Sequence, residues 1–409
     1  MEFWLSYGKT EVPVAVPDEN LLAFLSPADG FPSQNLGDAI NAASQYRVGE
    51  HGLFEAAKQV NRTVIAFNAD SPASTALSNL LAEGLSQAGA AGVLMLEGAH
   101  DPTQPPSSPV LPENILDRPA PLERHDRKTS RVVKVGELEG GAEALVNEAF
   151  AAADIRCIVT NVSVNPLWGY SGGPSFLLSR LAAESTIRTC LGSTVKRARL
   201  PAFLSENPTY EALLLFSKML SVDFAVHVVE GPDGKVAGVF AGDLMETFQH
   251  ACGLAEKMFR PPLRARADIV ISSAGGSPWD RTLFDASPGA LMASAACKDH
   301  GILVLVAECA DGLGGFGSAR LGFRDAKGQT THSRKGFSLE RVVEYSFQRL
   351  CADHRVYLVS TLPEHNASSY GLLAARSVGS AYQRATRHGG KDASVVLISH
   401  GCLTVPLIG

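Results

Sequence analysis

Four short stretches in the second half of the chain are almost entirely apolar: "DIVIS" (268–272), "ILVLVAE" (302–308), "VYLVS" (356–360) and "SVVLIS" (394–399). Such runs are typical of strands that helices cover on both faces, and helical patterns lie between them. This alternation predicts an α/β fold with a mostly parallel sheet. In such folds the ligand crevice lies at the carboxyl ends of the strands.

The first half of the chain repeats this alternation after a predicted N-terminal hairpin. With 409 residues, the chain is longer than one hydrophobic core usually organises. A helix predicted from Leu244 to about Phe259 runs into the sequence "RPP", which is typical of a domain boundary. We therefore predict two α/β domains with mostly parallel sheets, over residues 1–260 and 261–409.

Charge, hydropathy and cysteine content exclude several classes of protein. The net charge of −6 gives no reason to expect binding to nucleic acid or to an anionic membrane surface. No apolar run reaches the roughly 18 residues of a membrane helix, and the first residues lack a signal-peptide pattern, so we expect a cytoplasmic protein. The seven cysteines include no C-x-x-C pair, which favours free thiols over disulfides or a zinc cage.

Five loops that follow predicted strands are the candidates for chemistry. Glycine lets the main chain approach a ligand, although tight turns need glycine as well. The loops are "NADSP" (68–72), "EGAHDP" (97–102), "NVSVNPLWGYSGGPS" (161–175), "SSAGGSPWD" (272–280) and "DGLGGFG" (311–317). The last one does not open the first βαβ unit, and no phosphate-loop motif is present, so the sequence does not indicate nucleotide binding.

Among the histidines, His100 is the best candidate for proton transfer. It follows an apolar strand and precedes a proline-rich segment over residues 101–130, so we expect it at the mouth of a cleft. A hydrogen-bonded loop histidine is the alternative. His227 lies in an apolar strand and is predicted to be structural, and nothing locates His125 in a crevice. No H-x-x-x-H or H-E-x-x-H spacing predicts a metal site.

Together the loops resemble those of the nickel-dependent lactate racemase family over nearly the whole chain. The matching segments are 133–155, "GYSGG" (169–173), "VAGVFAGD" (236–243), "ADIVISSAGGSPWD" (267–280) and "DGLGGFG" (311–317). The resemblance implies two α/β domains with an active site in the cleft between them. It also implies racemisation or epimerisation of a 2-hydroxy acid, with a covalently attached nickel-pincer nucleotide as hydride acceptor and two histidines as acids and bases.

Several family positions carry different residues here. Ser175 stands where the resemblance implies the cofactor lysine, Asn165 where it implies the second histidine, and no histidine lies near Leu191, where it implies a nickel ligand. Asn68-Ala69-Asp70-Ser71-Pro72 replaces Asp-His-Thr-Arg-Pro, and Asp285 and Pro288 replace an amide and a lysine. His100 survives, with Asp101 in place of the neighbouring arginine. Arg281 is the one cation of the cleft loops that the resemblance retains, so we expect no bound cofactor.

Three hypotheses follow from these observations. The first is an enzyme with altered chemistry on a small hydroxy or carboxylic acid, with His100 as acid or base. The second is a non-catalytic ligand binder or partner subunit, and the third is a metal site rebuilt from Asn68, Asp70, His100 and Asp101. Trp168 and Tyr170 either stack on a ligand or fill space. The predicted substrate-binding residues are Asn68, Ser71, Asn165, Trp168, Tyr170, Ser171, Gly172, Gly173, Ser175, Asp280, Asp285 and Asp311.

Overall fold

A computed structural model describes residues 1–32, 34–37, 41, 43, 45–104, 119–191, 201, 203, 207, 209–318 and 338–409. Part of the proline-rich segment, residues 105–118, thus lies outside the described residues. The strands that build its main sheets and hairpins are β1 (Glu2–Tyr7), β2 (Thr10–Ala15), β3 (Leu21–Leu25), β4 (Thr63–Phe67), β5 (Val93–Glu97), β6 (Leu122–Arg124), β7 (Val132–Glu137), β8 (Glu143–Asn147), β9 (Ile155–Asn161), β10 (Phe224–Glu230), β11 (Val236–Gly242), β12 (Ala267–Ser273), β13 (Cys297–Val306), β14 (Arg355–Val359), β15 (Leu373–Ala375) and β16 (Val395–Ile398).

The described helices flank these strands. They are α1 (Leu53–Lys58), α2 (Pro72–Gln87), α3 (Glu148–Ala151), α4 (Gly173–Phe176), α5 (Glu184–Leu191), α6 (Tyr210–Lys218), α7 (Leu244–Phe259), α8 (Leu283–Ala293), α9 (Leu339–Asp353), α10 (Glu364–Ser369) and α11 (Val378–Gly389). A π-helical turn, Leu177–Leu181, continues α4. Two-residue strands pair Arg47–Val48 with His51–Gly52, Val164–Asn165 with Gly169–Tyr170, and Pro262–Leu263 with Leu407–Ile408.

The first six-stranded sheet has the order β11-β10-β9-β4-β5-β6. Its strands are parallel except β11, which pairs antiparallel with β10. Every residue of β4 is buried, because α2 and the cores on both faces cover the strand. The loops that carry Asn68 and His100 leave β4 and β5 at their carboxyl ends. The predicted sheet class and loop placement are therefore confirmed.

The second six-stranded sheet is wholly parallel, with the order β15-β14-β13-β12-β16-β3. Its edge strand β3 comes from the first 25 residues of the chain. The β1–β2 hairpin packs on the same unit, because Leu5, Val14 and Val16 join the core formed by β12, β13 and β16. The N-terminal segment thus contributes to the second sheet, while the boundary at residues 260 and 261 stays a prediction.

Candidate functional site

His100 lies just beyond the carboxyl end of β5, and its side chain is 65% exposed. Its Nδ1 lies 3.4 Å from Oδ1 of Asp70, which sits in the loop after the neighbouring strand β4. A carboxylate at Nδ1 favours the tautomer that carries a proton there, which leaves Nε2 to accept or donate a second proton. The pair therefore has the arrangement of an oriented acid–base histidine.

Arg180 forms an ion pair with Asp70. Its guanidinium lies 2.6 Å from Oδ2 of Asp70 and also donates to Ala99 O at 3.1 Å and to Gln104 Oε1 at 3.0 Å. Burial by itself would raise the pKa of Asp70, but the charge of Arg180 and the contact with His100 outweigh it and hold that pKa well below its usual range. Asp70 is therefore ionised at neutral pH, beneath an exposed histidine.

A second arginine, Arg127, also contacts His100. Its Nε donates to Ser179 O at 2.8 Å, and a terminal nitrogen donates to His100 O. Arg180 and Arg127 therefore bring two cations to His100 from outside the five loops, to which the expectation about cations was limited. A lone arginine inside the apolar stretch "FLLSRLAA" was the available signal for Arg180.

Asp285 is a predicted site residue of the second domain. Asp285 lies in the first turn of α8, where the hydroxyl of the N-cap residue Thr282 donates to its Oδ2 at 2.7 Å. Burial raises the pKa of Asp285, and the charges of Arg281 and His100 act against that rise. His100 therefore lies within electrostatic range of Asp285.

The serine side chains of the "GYSGGPS" loop form hydrogen bonds with the main chain. The Ser171 hydroxyl donates to Asn161 O at 3.2 Å and accepts from Ser163 N at 3.0 Å. The Ser175 hydroxyl donates to Gly172 O at 2.9 Å, and Ser175 is buried. Gly172 has φ +81°, and a Cβ there would lie 2.9 Å from Asn161 O. The loop is thus a tightly packed turn at which Ser175 faces the main chain.

Asn165, Trp168 and Asp101 form one buried hydrogen-bonded unit. Asn165 Oδ1 accepts from the N–H groups of Leu167 and Trp168 at 2.9 Å, and its Nδ2 donates to Thr103. The indole of Trp168 donates to Asp101 Oδ2 at 3.0 Å. Burial would raise the pKa of Asp101, but the nearby arginines Arg180 and Arg127 keep it lowered. Trp168 therefore packs in the hydrophobic core beside the first sheet rather than lying open to the cleft.

Tyr170 is equally enclosed. It is 2% exposed and packs edge-on against Phe203, with ring centroids 5.3 Å apart. Burial raises the pKa of its hydroxyl, with Arg260 acting in the opposite direction. Of the two interpretations of the aromatic pair, this packing agrees with the one in which the rings fill space.

Glu230 occupies the N-terminus of helix α2. Its carboxylate accepts from the Ser71 hydroxyl at 2.6 Å, from Ala73 N at 3.3 Å, and from the Asn161 side chain. Burial raises the pKa of Glu230, against the effect of these hydrogen bonds. A helix N-terminus is a favourable position for a phosphate or carboxylate, and here the side chain of Glu230 supplies the carboxylate. Asn68 accepts from Asn161 N at 3.0 Å beside it.

The two remaining predicted residues lie in the second domain. Asp280 is fully buried, and its Oδ2 accepts from Gly8 N at 2.7 Å and from Glu308 N at 3.1 Å, which ties the N-terminal hairpin to the loop after β13. Asp311 pairs at the surface with Arg281, at 2.6 Å. The contacts of these two side chains thus lie within the second domain and the N-terminal hairpin.

Other chemistry is limited within the described part of the chain. No group of three or more histidine, cysteine or acidic side chains there has the arrangement of a metal site. Arg180 pairs with Asp70, and both oxygens of Asp101 accept hydrogen bonds, so the four residues of the rebuilt metal hypothesis do not form a free ligand set. The seven cysteines are free, as predicted. No helix among the described residues is long and apolar enough to cross a bilayer.

The mostly parallel first sheet and the wholly parallel second sheet define a two-domain α/β protein. The lactate racemase N-terminal domain profile matches residues 7–198, and the lactate racemase C-terminal domain profile matches residues 263–405. The chain belongs to the lactate racemase family.

Individual relatives agree with this assignment. The chain is 24% identical to the lactate racemase of Thermoanaerobacterium thermosaccharolyticum over 415 aligned positions, with 97% of each protein covered. It is 25% identical to the lactate racemase of Lactiplantibacillus plantarum over 282 positions, or 66% of each. The apoprotein structure of the former superposes over the full length of both chains with a TM-score of 0.82 at 21% identity. A Thermotoga maritima protein covers 93% of this chain with a TM-score of 0.61.

Proposed function

We propose that this chain acts on a small 2-hydroxy acid in the interdomain cleft, in the cytoplasm, with His100 as the group that accepts and donates a proton. The observation that carries the proposal is the array of an exposed His100, an ionised Asp70 at its Nδ1 and a buried Arg180 beneath. Burying the charged guanidinium of Arg180 beside the partly buried Asp70 is costly, which supports a functional role for this pair next to His100.

Inversion of a carbon centre needs proton exchange on both of its faces. In the proposal, Nε2 of His100 removes the proton from the hydroxyl-bearing carbon on one face. Asp285, which lies within electrostatic range of His100, delivers a proton to the other face. Asp70 and Arg180 are positioning residues, since they act through the orientation of the imidazole.

The residues present do not fit a lysine-tethered nickel-pincer nucleotide, and the proposal assigns no step to it. Such a group needs an amine at position 175, where the hydroxyl of Ser175 is bonded to Gly172 O. It also needs cationic or N–H partners for a phosphate, but Glu230 occupies the N-terminus of α2 and would repel one. Intact-mass and nickel analysis, after coexpression with the family's cofactor-synthesis enzymes, tests this point. A stoichiometric nickel adduct would contradict it.

Hydrogen exchange tests the proposed chemistry directly. The protein is incubated in D₂O with a panel of single-enantiomer 2-hydroxy acids, and loss of the carbon-bound proton is followed by NMR alongside chiral chromatography. We expect exchange with inversion for at least one acid, and a decrease of about 10²–10⁴-fold in His100→Gln. His365→Gln, at an exposed histidine of α10, is the matched control and should keep full activity.

A non-catalytic ligand binder is the second candidate. It is favoured by the "GYSGGPS" loop, whose polar side chains bond to the main chain and leave no reactive group at position 175. Binding of an acid to wild type without any exchange or inversion across the panel would reject the enzyme and support this candidate.

A further inference from the structure

A cavity of about 260 Å³ opens directly beside His100. Its described lining comes from both domains: Ala99, His100, His125, Asp126, Arg127, Lys128, Glu184 and Ile187 from the first, and Leu339 and Glu340 from helix α9 of the second. The volume is below the 300–1,000 Å³ of most drug-sized pockets, so the cavity has room only for a small molecule. Ile187 and Leu339 are buried and supply a short apolar wall.

The charges on this lining have both signs. Arg127 and Lys128 are cations, whereas Asp126, Glu184 and Glu340 are carboxylates. Asp126 is turned toward its own loop, since it accepts from the N–H groups of Lys128 and Thr129 at 2.8 and 2.9 Å. Lys128 lies 3.5 Å from Glu184. Glu184 and Glu340 thus line the cavity from different domains, and Glu184 is the one that pairs with Lys128.

Arg127 retains donors for a ligand. Of its five N–H groups, the one on Nε and one terminal N–H bond to Ser179 O and His100 O, which fixes the guanidinium beside the histidine. Glu340 and Glu184 both contribute to the electrostatic surroundings of Arg127. A ligand carboxylate at Arg127 would thus lie next to two protein carboxylates.

A plain 2-hydroxy acid suits this lining poorly, because its single negative charge meets as many acidic as basic groups. A ligand that also bears an ammonium group would satisfy both signs. Resting on the proposed function, we propose that the substrate is a small amino-substituted 2-hydroxy acid. Its carboxylate binds Arg127 and Lys128, its ammonium group binds Glu184 and Glu340, and its hydroxyl-bearing carbon lies toward His100.

Calorimetric binding of three probes tests this proposal without requiring turnover. The probes are lactate, 3-amino-2-hydroxypropanoate and β-alanine, which carry a hydroxyl, both groups, and an amine, respectively. We expect 3-amino-2-hydroxypropanoate to bind at least about 10-fold more tightly than lactate to wild type. Equal or tighter binding of lactate overturns the proposal.

Variants that lack one acidic group test whether the cavity determines the selectivity for the amino-substituted acid. Glu340→Gln and Glu184→Gln should each weaken binding of 3-amino-2-hydroxypropanoate about 5- to 10-fold and leave lactate binding unchanged or tighter. Glu364→Gln, on α10, is the matched control and should change neither. An equal loss for both ligands in both cavity variants would contradict the proposal, with circular dichroism confirming that each variant is folded.

The result can be separated from that of the proposed function. Selective binding without hydrogen exchange would support this cavity assignment while rejecting His100 chemistry. Hydrogen exchange on lactate, together with tighter lactate binding, would support the chemistry and reject the ammonium site.

Discussion

At the residue scale, the candidate site depends on the buried side chain of Arg180. It is 3% exposed and bonds to Asp70, Ala99 and Gln104 at once. The Arg281–Asp311 pair has a similar 2.6 Å separation, but its side chains are 62% and 49% exposed. The two pairs therefore separate the effect of burial from that of charge pairing.

Arg180→Leu should be strongly destabilising, because it leaves the carboxylate of Asp70 largely buried without its partner. We expect the free energy of unfolding to decrease by about 3 kcal/mol, as measured by urea denaturation. Arg281→Leu is the control and should change it by less than about 1 kcal/mol, since solvent screens an exposed pair. Similar losses in both variants would show that burial is not the decisive factor.

Sequence alone locates His100 and Asp70 because both follow apolar strands, and loops at the carboxyl ends of adjacent parallel strands meet. It does not locate Arg180, Arg127 or Glu230, which reach the same region from a π-helical turn, a distant loop and the end of β10. The lone arginine in "FLLSRLAA" marks Arg180 as unusual, but the partners of these residues depend on how elements pack, which a local pattern does not give.

At the element scale, two glycines show how the turn after Tyr170 differs from an ordinary helix. Gly173 has φ +49°, and a Cβ there would lie 2.5 Å from the ring of Phe248 on α7. Gly253 lies within α7, and nothing would lie within 4 Å of its Cβ. One glycine is required by packing and backbone conformation, and the other is not.

Gly173→Ala should therefore lower the free energy of unfolding by about 2–4 kcal/mol, from left-handed backbone strain and the clash with Phe248. Gly253→Ala should raise it by about 0.5–1 kcal/mol, because alanine is the better helix former. Chemical denaturation of both variants checks the opposite signs. A neutral Gly173→Ala would mean that the turn tolerates a side chain.

Helix α7 shows what the sequence predicts well at this scale. Its observed bounds, Leu244–Phe259, match the prediction, because Asp243 caps the first turn and "RPP" follows the last. The filling of the α2 N-terminus by Glu230 could not be predicted, since it depends on the register of β10 beside β9.

At the scale of the whole molecule, the first 25 residues join the N-terminal end of the chain to a strand near its C-terminal end. Strand β3 pairs with β16, and Phe3 of the hairpin stacks on Phe24 with ring centroids 5.1 Å apart. Deletion of residues 1–25 should expose one edge and part of the core of the second sheet. We expect faster amide hydrogen exchange in β12 and β16 and unchanged exchange in β4 and β9. Uniform acceleration in both sheets would contradict a local effect.

Two buried histidines should make the whole molecule sensitive to acid. Burial lowers the pKa of His227 to about 3 and that of His400 to about 4, against roughly 6.5 in an unfolded chain. Below pH 6.5 the unfolded chain therefore binds protons that the folded protein does not. The stability that the neutral histidines provide is complete above that pH, and it is lost as the pH falls toward 4 for His400 and 3 for His227.

His400 permits the sharper test, because both ring nitrogens are buried without a hydrogen-bond partner among the described residues. The ring packs edge-on against Trp279, with ring centroids 4.3 Å apart. His400→Leu removes the titrating group while keeping an apolar side chain, so it should cost little at pH 7. Between pH 7 and 5 the wild-type free energy of unfolding should fall by about 1–3 kcal/mol more than that of the variant. Urea denaturation at both pH values measures the difference, with His365→Leu as the exposed control. A pH dependence that His400→Leu leaves as steep as in wild type would exclude His400, and the acid sensitivity would then have to come from other groups, among them His227 in the first sheet.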